Sequence, residues 1–184
     1  MITVKTVFPH TNFDNKHSVV VTEQEIETNE RGTQNAFLLT AFHEPWAIRE
    51  IPIPEIGDHE ILVKNKAIGL NPIDWKAKKY QFGVYNFPWI NGRESSGVVV
   101  KSGNNVIDHE PGKEVIVSST SYRDNRTSTF QEYTVIDSRL AWKKPSTLTH
   151  EEGATLGVGL ATAGVILFES FGFPTELNNA DITN

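Results

Sequence analysis

Gly92-Arg-Glu-Ser-Ser-Gly97-Val-Val-Val-Lys-Ser-Gly103 is the stretch of the sequence that decides the fold. Its centre, Gly97–Lys101, is a short apolar run rich in valine, and such runs are typical of β-strands. Glycine adopts backbone conformations that residues with side chains avoid, so Gly92, Gly97 and Gly103 predict tight turns or bulges around this strand. The stretch therefore predicts a strand-rich fold rather than a helical one.

Similar short runs of Val, Ile, Phe and Tyr occur on both sides of this stretch. Turn signals such as Pro52–Pro54, Gly57–Asp58 and Pro111–Gly112 separate them. Together with Gly97–Lys101, the predicted strands are Ala36–Phe42, Trp46–Ile51, Glu60–Leu70, Glu114–Ser118 and Phe130–Ile136. So many short strands within about a hundred residues predict a compact, mostly antiparallel β-barrel.

The two ends of the chain differ in composition from this central part. Residues 1–35 are polar, carry an acidic cluster between Glu23 and Glu30 and show no sustained periodicity, which predicts an extension of low order. A short strand at Ser18–Thr22 is the alternative for this part. Residues 174–184 are again polar and are predicted to form a tail.

A helix is predicted between the β-strands and the polar tail. Thr149 followed by Glu152 fits a capping box, in which each side chain satisfies an end amide of the same turn. The sequence behind it, GATLGVGLATAGVILFESFGF, is rich in glycine and alanine and then apolar, with Gly172 placed as a stop. We therefore expect one buried helix over residues 149–171. Its small residues serve either helix–sheet packing or the close approach of a ligand.

Composition limits the possible classes of protein. The 184 residues are 38% apolar and 22% charged, which is typical of a folded globular chain with one domain or two small ones. A net charge of -6 gives no basic surface for nucleic acid or an anionic membrane. The sequence shows no bilayer-spanning run and no signal-peptide core, so a cytoplasmic protein is expected. Cysteine is absent, which excludes disulfides and thiolate chemistry.

Motifs occur in a fixed order along the chain. They are Ala67-Ile-Gly-Leu-Asn-Pro-Ile-Asp-Trp-Lys76, the Gly92–Gly103 stretch, Phe130-Gln-Glu-Tyr133, and Gly153-Ala154 leading to Gly159-Leu-Ala-Thr-Ala-Gly164. In order and spacing they resemble the medium-chain dehydrogenase/reductase superfamily. The resemblance is to its zinc-independent, quinone-oxidoreductase-like branch, and in pattern to the fungal trans-acting enoyl reductases of polyketide biosynthesis. It covers residues 36–173.

The resemblance implies a member of an α/β superfamily whose present chain is mostly β. It implies a GroES-like, partly open antiparallel barrel as the catalytic domain over residues 36–145, and a C-terminal linking helix within residues 146–173. In the family a Rossmann domain follows, with a strand, a glycine-rich turn and a helix N-terminus that holds the cofactor pyrophosphate. The sequence after residue 175 contains no such unit, so we expect a chain truncated before its Rossmann domain.

The resemblance also implies NADPH as the cofactor and assigns candidate site residues. The implied cofactor-binding residues are Asn71, Ile73, Asp74, Trp75, Lys76 and Thr162, and the implied substrate-binding residues are Ala163, Gly164, Val165, Ile166, Leu167 and Phe168. The residue types alone also allow simpler roles. Asp74 then caps a helix that begins at Trp75, and Thr162 bonds its own helix backbone. Lys76 is then a solvated cation.

No catalytic residue is identified from the sequence. Reduction of an activated C=C bond needs donors for the carbonyl oxygen and a proton source for the α-carbon. Tyr80 and Tyr85 follow the first motif, in a loop that borders the substrate cleft in the family. Exposed loop tyrosines are common, so the proton donor stays unassigned.

A metal site is not expected. Zinc-dependent members of the superfamily bind their catalytic metal through a cysteine in the first motif and a histidine in the second. Here these positions fall at Leu70–Asn71 and at Arg93. The chain has no cysteine, and its six histidines are scattered without ligand spacing, so converging tetrahedral ligands for zinc are not predicted.

Three functional hypotheses follow from the resemblance. The first is an NADPH-dependent enoyl reductase that acts in trans with a polyketide synthase, on an enoyl intermediate bound to its acyl carrier. The second is a stand-alone quinone or enone reductase. The third is a non-catalytic, truncated remnant of such an enzyme. Neither nucleic acid nor a membrane is an expected partner.

Overall fold

The computed structural model describes residues 32–119 and 123–174. Within them the strands are β1 Thr33–Leu39, β2 Ala47–Pro52, β3 Glu60–Gly69, β4 Trp89–Ile90, β5 Glu94–Ser102, β6 Glu114–Ser118, β7 Tyr133–Asp137 and β8 Ala141–Lys143. They form one sheet in the order β2-β1-β4 and another in the order β7-β3-β5-β6-β8. All neighbouring strands are antiparallel. The predicted fold, a mostly β chain with a partly open antiparallel barrel, is confirmed.

The observed strand ends differ from the predicted ones where long-range pairing decides them. β1 begins at Thr33, inside the segment that the sequence places in the polar extension; the rest of that extension, with the possible strand at Ser18–Thr22, lies outside the described residues. β7 begins only at Tyr133, because the residues before it bond across to β1. The backbone N–H of Phe37 donates to the carbonyl oxygen of Phe130 at 2.8 Å.

Buried polar side chains join the two sheets where β1 passes the start of β7. The Gln34 side chain donates to the side-chain oxygen of Gln131 at 3.0 Å. It also accepts from the backbone N–H of Tyr133 at 2.7 Å. Both glutamines are almost fully buried, so these bonds form in a setting where an unmade bond costs about 1–3 kcal/mol. The two sheets are therefore joined here by these side chains together with a few backbone hydrogen bonds, and not by a continuous strand ladder.

The hydrophobic core lies on the inner face of the larger sheet. Its buried members are Ile61, Val63, Val99, Val115, Val117, Ile136 and Ala141. Residues two apart on one strand, such as Val115 and Val117, point to the same face, which is why alternate positions supply the core. Gly97 lies where β5 crosses β3, and a Cβ there would come within 2.2 Å of the Lys64 carbonyl oxygen. This close approach explains the glycine inside the valine run.

The helices are α1 Pro72–Lys79, α2 His150–Gly153 and α3 Gly157–Gly164, followed by a wider helical turn at Val165–Ser170. The segment predicted as one buried helix is therefore interrupted between α2 and α3. It is also largely exposed beyond Gly157, with apolar side chains such as Leu160 and Phe168 facing outward. Residues 175–184, predicted as a tail, lie outside the described residues.

The start of α2 is fastened to the barrel by His150. Its Nδ1 lies 2.9 Å from the hydroxyl oxygen of Ser96 on β5, and its Nε2 lies 3.2 Å from a carboxylate oxygen of Glu114 on β6. Thr149 caps the helix, and its hydroxyl accepts from the backbone N–H of Glu152 at 3.1 Å. The predicted capping box is confirmed.

Candidate functional site

The first motif lies at the end of β3 and in α1. The helix begins at Pro72 rather than at Trp75 as predicted, with Asn71 as its N-cap. Proline is well suited to the first helical position, because the N–H that it lacks would have no partner there. Asp74 is consequently the third residue of the helix, and its Oδ2 accepts from the backbone N–H of Asn71 at 2.7 Å. The Asp74 carboxylate thus holds the entry of the chain into α1.

Glu94, the first residue of β5, connects this loop to α3. Its Oε1 accepts from the Asn71 side-chain amide at 2.7 Å. Its Oε2 accepts from the backbone N–H of Val158, the second residue of α3, also at 2.7 Å. Glu94 is buried, and both contacts have the short length of hydrogen bonds to an ionised acceptor.

The same contact explains why the predicted long helix is interrupted. In a continuous helix the N–H of Val158 would donate to the carbonyl oxygen of Ala154, four residues earlier. Here that N–H bonds to Glu94, and the Ala154 carbonyl oxygen packs against Gly69 instead, 2.2 Å from the place of a Cβ. A tertiary hydrogen bond has therefore replaced a helical one at Val158, and the residues just before it, Thr155 and Leu156, bond only three residues back.

Asp74 titrates far from its ordinary range. Burial raises the pKa of Asp74 to about 6, against an ordinary value of 3.8. The Asn71 backbone amide and the Arg93 charge lower this pKa, and the Glu94 charge raises it. Because burial has the largest effect, the Asp74 carboxyl holds a proton up to nearly neutral pH.

Arg93 occupies the second-motif position where zinc-binding members of the superfamily have histidine. Its side chain is almost fully buried, with 2% of the residue exposed, and its charge acts on Asp74. Its carbonyl oxygen accepts from the backbone N–H of Ser119 at 2.7 Å. Since a guanidinium keeps its proton, the site contains a permanent buried cation where those relatives have a metal ligand.

The other candidate residues of the first motif lie at the surface. Trp75 and Lys76 are exposed, and the Lys76 ammonium lies 5.7 Å from the centre of the Trp75 ring. The Lys79 ammonium lies 5.4 Å from the same ring. Ile73 is half-buried. This surface therefore carries two ammonium groups beside one aromatic ring, and the cations suit an anionic ligand.

The candidate residues on the helical segment are also accessible. Thr162 and Ala163 are exposed in the second turn of α3, and Gly164 is half-buried at its end. The wider turn that follows exposes large apolar side chains: Val165, Ile166, Leu167 and Phe168. Thr162 lies four residues after Val158, so both face the same side of the helix.

The residues present match one end of a nicotinamide cofactor. An exposed ammonium at Lys76 suits a phosphate or ribose, and an exposed hydroxyl at Thr162 suits the nicotinamide amide. A strand, glycine-rich turn and helix arrangement for the pyrophosphate is not found among residues 32–119 and 123–174.

The two tyrosines of the loop after α1 are exposed and make surface contacts. Tyr80 caps the end of α1, and its ring centre lies 6.2 Å from that of Trp75. The Tyr85 ring lies 4.5 Å from the guanidinium of Arg123. Both contacts are made by the rings, and the proton donor stays unassigned.

No group of three or more His, Cys, Asp or Glu side chains that could hold a metal ion occurs in the part of the chain that the structure describes. Among those residues, no helix combines the length and the apolar character needed to cross a bilayer.

Comparison with known proteins supports the fold assignment. Residues 57–146 match the alcohol dehydrogenase GroES-like domain. The chain is 34% identical to the zinc-binding alcohol dehydrogenase domain-containing protein cipB of Emericella nidulans, over 73% of this chain and 43% of that protein. It is 33% identical to the trans-enoyl reductase resD of Aspergillus sclerotiorum, over 76% of this chain and 39% of that protein.

Solved structures give the same result. An alcohol dehydrogenase superfamily protein from Novosphingobium aromaticivorans superposes with a TM-score of 0.70 at 25% identity, over 76% of this chain and 43% of that chain. A putative zinc-binding dehydrogenase from Sinorhizobium meliloti, bound to NADP, superposes with a TM-score of 0.57 at 25% identity, over 66% of this chain and 41% of that chain.

Fold and motifs together define the class of protein. The chain belongs to the medium-chain dehydrogenase/reductase superfamily and carries its alcohol dehydrogenase GroES-like domain over residues 57–146. Its curated relatives include fungal trans-enoyl reductases. The chain spans less than half the length of the relatives it matches.

Sequence reasoning placed Glu94 within a motif but gave it no role. Its partners are Asn71 and Val158, which are distant from it in the sequence. The sequence shows only a carboxylate between Arg93 and Ser95, ahead of the predicted strand, and such a group needs hydrogen-bond partners once it is buried. The sequence alone does not name those partners.

Proposed function

We propose that this chain provides the substrate side of an NADPH-dependent enoyl reductase that acts in trans with a polyketide synthase. The observation that carries the proposal is Glu94, whose two oxygens join the Asn71 loop to the start of α3. The candidate cofactor- and substrate-binding residues lie in α1 with its N-cap Asn71, in α3, and in the wider turn after α3. Further support comes from relatives named trans-enoyl reductase, which are between 30% and 34% identical to the chain.

Under this proposal the two segments have separate tasks. NADPH, when bound, supplies the hydride that reduces an activated C=C bond. Lys76 and Thr162 contact the cofactor with a cation and a hydroxyl, and Ile73 and Trp75 give it an apolar border. Asn71 and Asp74 hold the loop in place through their internal hydrogen bonds.

The substrate side is formed by the end of α3 and the wider turn after it. The small residues Ala163 and Gly164 allow a thioester to approach the backbone closely. Val165, Ile166, Leu167 and Phe168 offer an apolar wall to an acyl chain, and burying one such side chain contributes about 1.5–3 kcal/mol. An enoyl intermediate on an acyl carrier is the substrate class that this wall suits.

Calorimetric titration with NADPH tests the cofactor assignment. Because the chain spans less than half the length of its relatives, the titration uses the 184-residue chain and a chimera. In the chimera, the remaining part of resD follows residue 174. In the chimera, Lys76→Ala should weaken binding about tenfold or more, the equivalent of one charge-assisted hydrogen bond, and Thr162→Ala should weaken it by up to about tenfold, the equivalent of one neutral hydrogen bond.

Matched control variants lie elsewhere on the surface. Lys101→Ala removes an exposed lysine of β5 that pairs with Glu55 at 3.8 Å, and Thr155→Ala removes an exposed threonine between α2 and α3. Both controls should leave NADPH affinity unchanged. Equal affinity of Lys76→Ala, Thr162→Ala and the controls would remove the two residues from the site.

Turnover separates the proposed function from its alternatives. The chimera should oxidise NADPH with an enoyl thioester presented on an acyl carrier, and only slowly with a simple quinone. Faster turnover of the quinone would favour the stand-alone reductase. Absence of turnover with both substrates, despite NADPH binding, would favour the non-catalytic reading.

A further inference from the structure

Glu94 occupies a slot that glycine residues on both sides make possible. A Cβ on Gly69, at the end of β3, would lie 2.5 Å from the Glu94 Cγ. A Cβ on Gly157, at the start of α3, would lie 2.9 Å from the Glu94 Cβ. The side chain is therefore enclosed by strand and helix, and 3% of the residue is exposed.

Both carboxylate oxygens of Glu94 are used, and each serves a different element. One oxygen accepts from the Asn71 side chain and the other from the backbone N–H of Val158. The first amides of a helix lack intrahelical partners, and the N-cap residue of α3, Leu156, provides no side-chain acceptor. Glu94 supplies that acceptor from β5, and its negative charge is favourable near the N-terminus of a helix.

The two segments joined in this way carry the candidate ligand-contacting residues. Asn71 begins the stretch that continues to Lys76 in α1, and Val158 precedes Thr162 by four residues on the same face of α3. A shift of the first turn of α3 would move Thr162 relative to Lys76. Both hydrogen bonds of Glu94 oppose such a shift.

We propose that Glu94 is a positioning residue that locks the Asn71 loop and the first turn of α3 into one unit. The two hydrogen bonds of Glu94 belong to the chain itself. Only the identity of the ligand bound beside them rests on the proposed function. The prediction is therefore local, since loss of the lock should release α3 and leave the barrel strands unchanged.

Glu94→Gln and the pair Glu94→Gln with Asn71→Asp test the lock. Glutamine has the same size but only one acceptor oxygen, so it cannot accept from both donors. In the double variant, the glutamine oxygen accepts from Val158 and the glutamine amide donates to Asp at position 71. Both hydrogen bonds are then restored, and in the one between positions 94 and 71 the donor and the acceptor have changed places.

Amide hydrogen exchange of the 184-residue chain provides the readout. In Glu94→Gln the single acceptor oxygen can serve the Asn71 amide or the Val158 N–H but not both, so the amides of Val158 and of the residues after it in α3 should exchange faster, by up to about tenfold, while those of β3 and β5 stay unchanged. The double variant should recover most of the protection. Unchanged exchange in α3, equal acceleration in the sheet, or no recovery in the double variant would overturn the proposal.

A second readout distinguishes a charged Glu94 side chain from one that acts only by packing. The Glu94 charge contributes to the raised pKa of Asp74, which is about 6. Carbon-13 NMR should show the Asp74 titration midpoint fall in Glu94→Gln and rise again in the double variant, where a carboxylate stands at position 71. An unmoved midpoint would contradict the ionised lock, whatever the outcome of the NADPH titration.

Discussion

Asp74→Asn should change how the stability of the protein depends on pH. Asp74 is buried, with 7% of the residue exposed, and burial raises its pKa from 3.8 to about 6. The folded state therefore binds a proton at Asp74 more tightly than the unfolded state does. The contribution of this group to stability is fully present below pH 3.8, and it is lost as pH rises through about 6.

The size of the effect follows from the shift. A change from 3.8 to about 6 is roughly two pKa units, and each unit corresponds to 1.36 kcal/mol, so about 3 kcal/mol is at stake. Solvent screening is small because the group is buried. Asparagine keeps an oxygen that accepts from the Asn71 amide but carries no charge. Relative to wild type, Asp74→Asn should therefore gain about 3 kcal/mol of unfolding free energy between about pH 4 and pH 8.

Urea unfolding at several pH values measures this difference. Asp137→Asn is the matched control, because hydrogen bonds from Arg139 lower the pKa of Asp137 to about 2. The stability contributed by Asp137 is present above pH 3.8 and is lost only as pH falls through about 2. The difference in unfolding free energy between Asp137→Asn and wild type should therefore stay constant above about pH 4. A similarly flat difference for Asp74→Asn, or one of opposite slope, would refute the reasoning.

Three further predictions concern packing, a second titrating group and metal content. Gly97→Ala should destabilise the fold by about 1–3 kcal/mol, because the added Cβ meets the Lys64 carbonyl oxygen. Gly159→Ala, in open space on α3, should stabilise the fold by about 0.5–1 kcal/mol. Urea unfolding measures both changes. Burial lowers the pKa of His150 below 6.5, so the stability that His150 contributes is present above pH 6.5 and is lost as pH falls below that value. On acidification, His150→Gln should therefore lose less unfolding free energy than the wild type does. Elemental analysis should find no stoichiometric zinc in the purified chain, and zinc whose removal unfolds the protein would contradict this.

The sequence predicted most of the larger sheet because its longer strands contain short runs rich in Val and Ile. β6, Glu114–Ser118, has the predicted bounds, and β3 differs from its predicted bounds by one residue. β4 and β8 were not predicted. Two or three residues are too few for a periodic pattern, and the positions of these strands depend on the neighbours with which they pair.

The interruption before α3 could not be predicted, because its cause lies far away in the sequence. The capping box and the apolar run favour one helix from Thr149 to Phe171, whereas Gly153 and Gly157, which flank the interruption, disfavour a continuous one. At the start of α3 the Val158 N–H bonds to Glu94, which is 64 residues away, and no local signal predicts that bond. Local propensity is a weak preference that one buried, charged hydrogen bond can override.

The candidate site residues divide into two groups by burial, and the division limits what each can do. Asn71 and Asp74 have their side chains committed to bonds within the protein, so mutation of either should disturb the geometry of the site before it removes a ligand contact. Lys76 and Thr162 are exposed and free of such bonds to the Glu94 network, so their mutation should change ligand affinity with little effect on stability. A motif read from sequence joins these residues in one pattern. Burial and hydrogen bonding separate those that build the site from those that can contact a ligand.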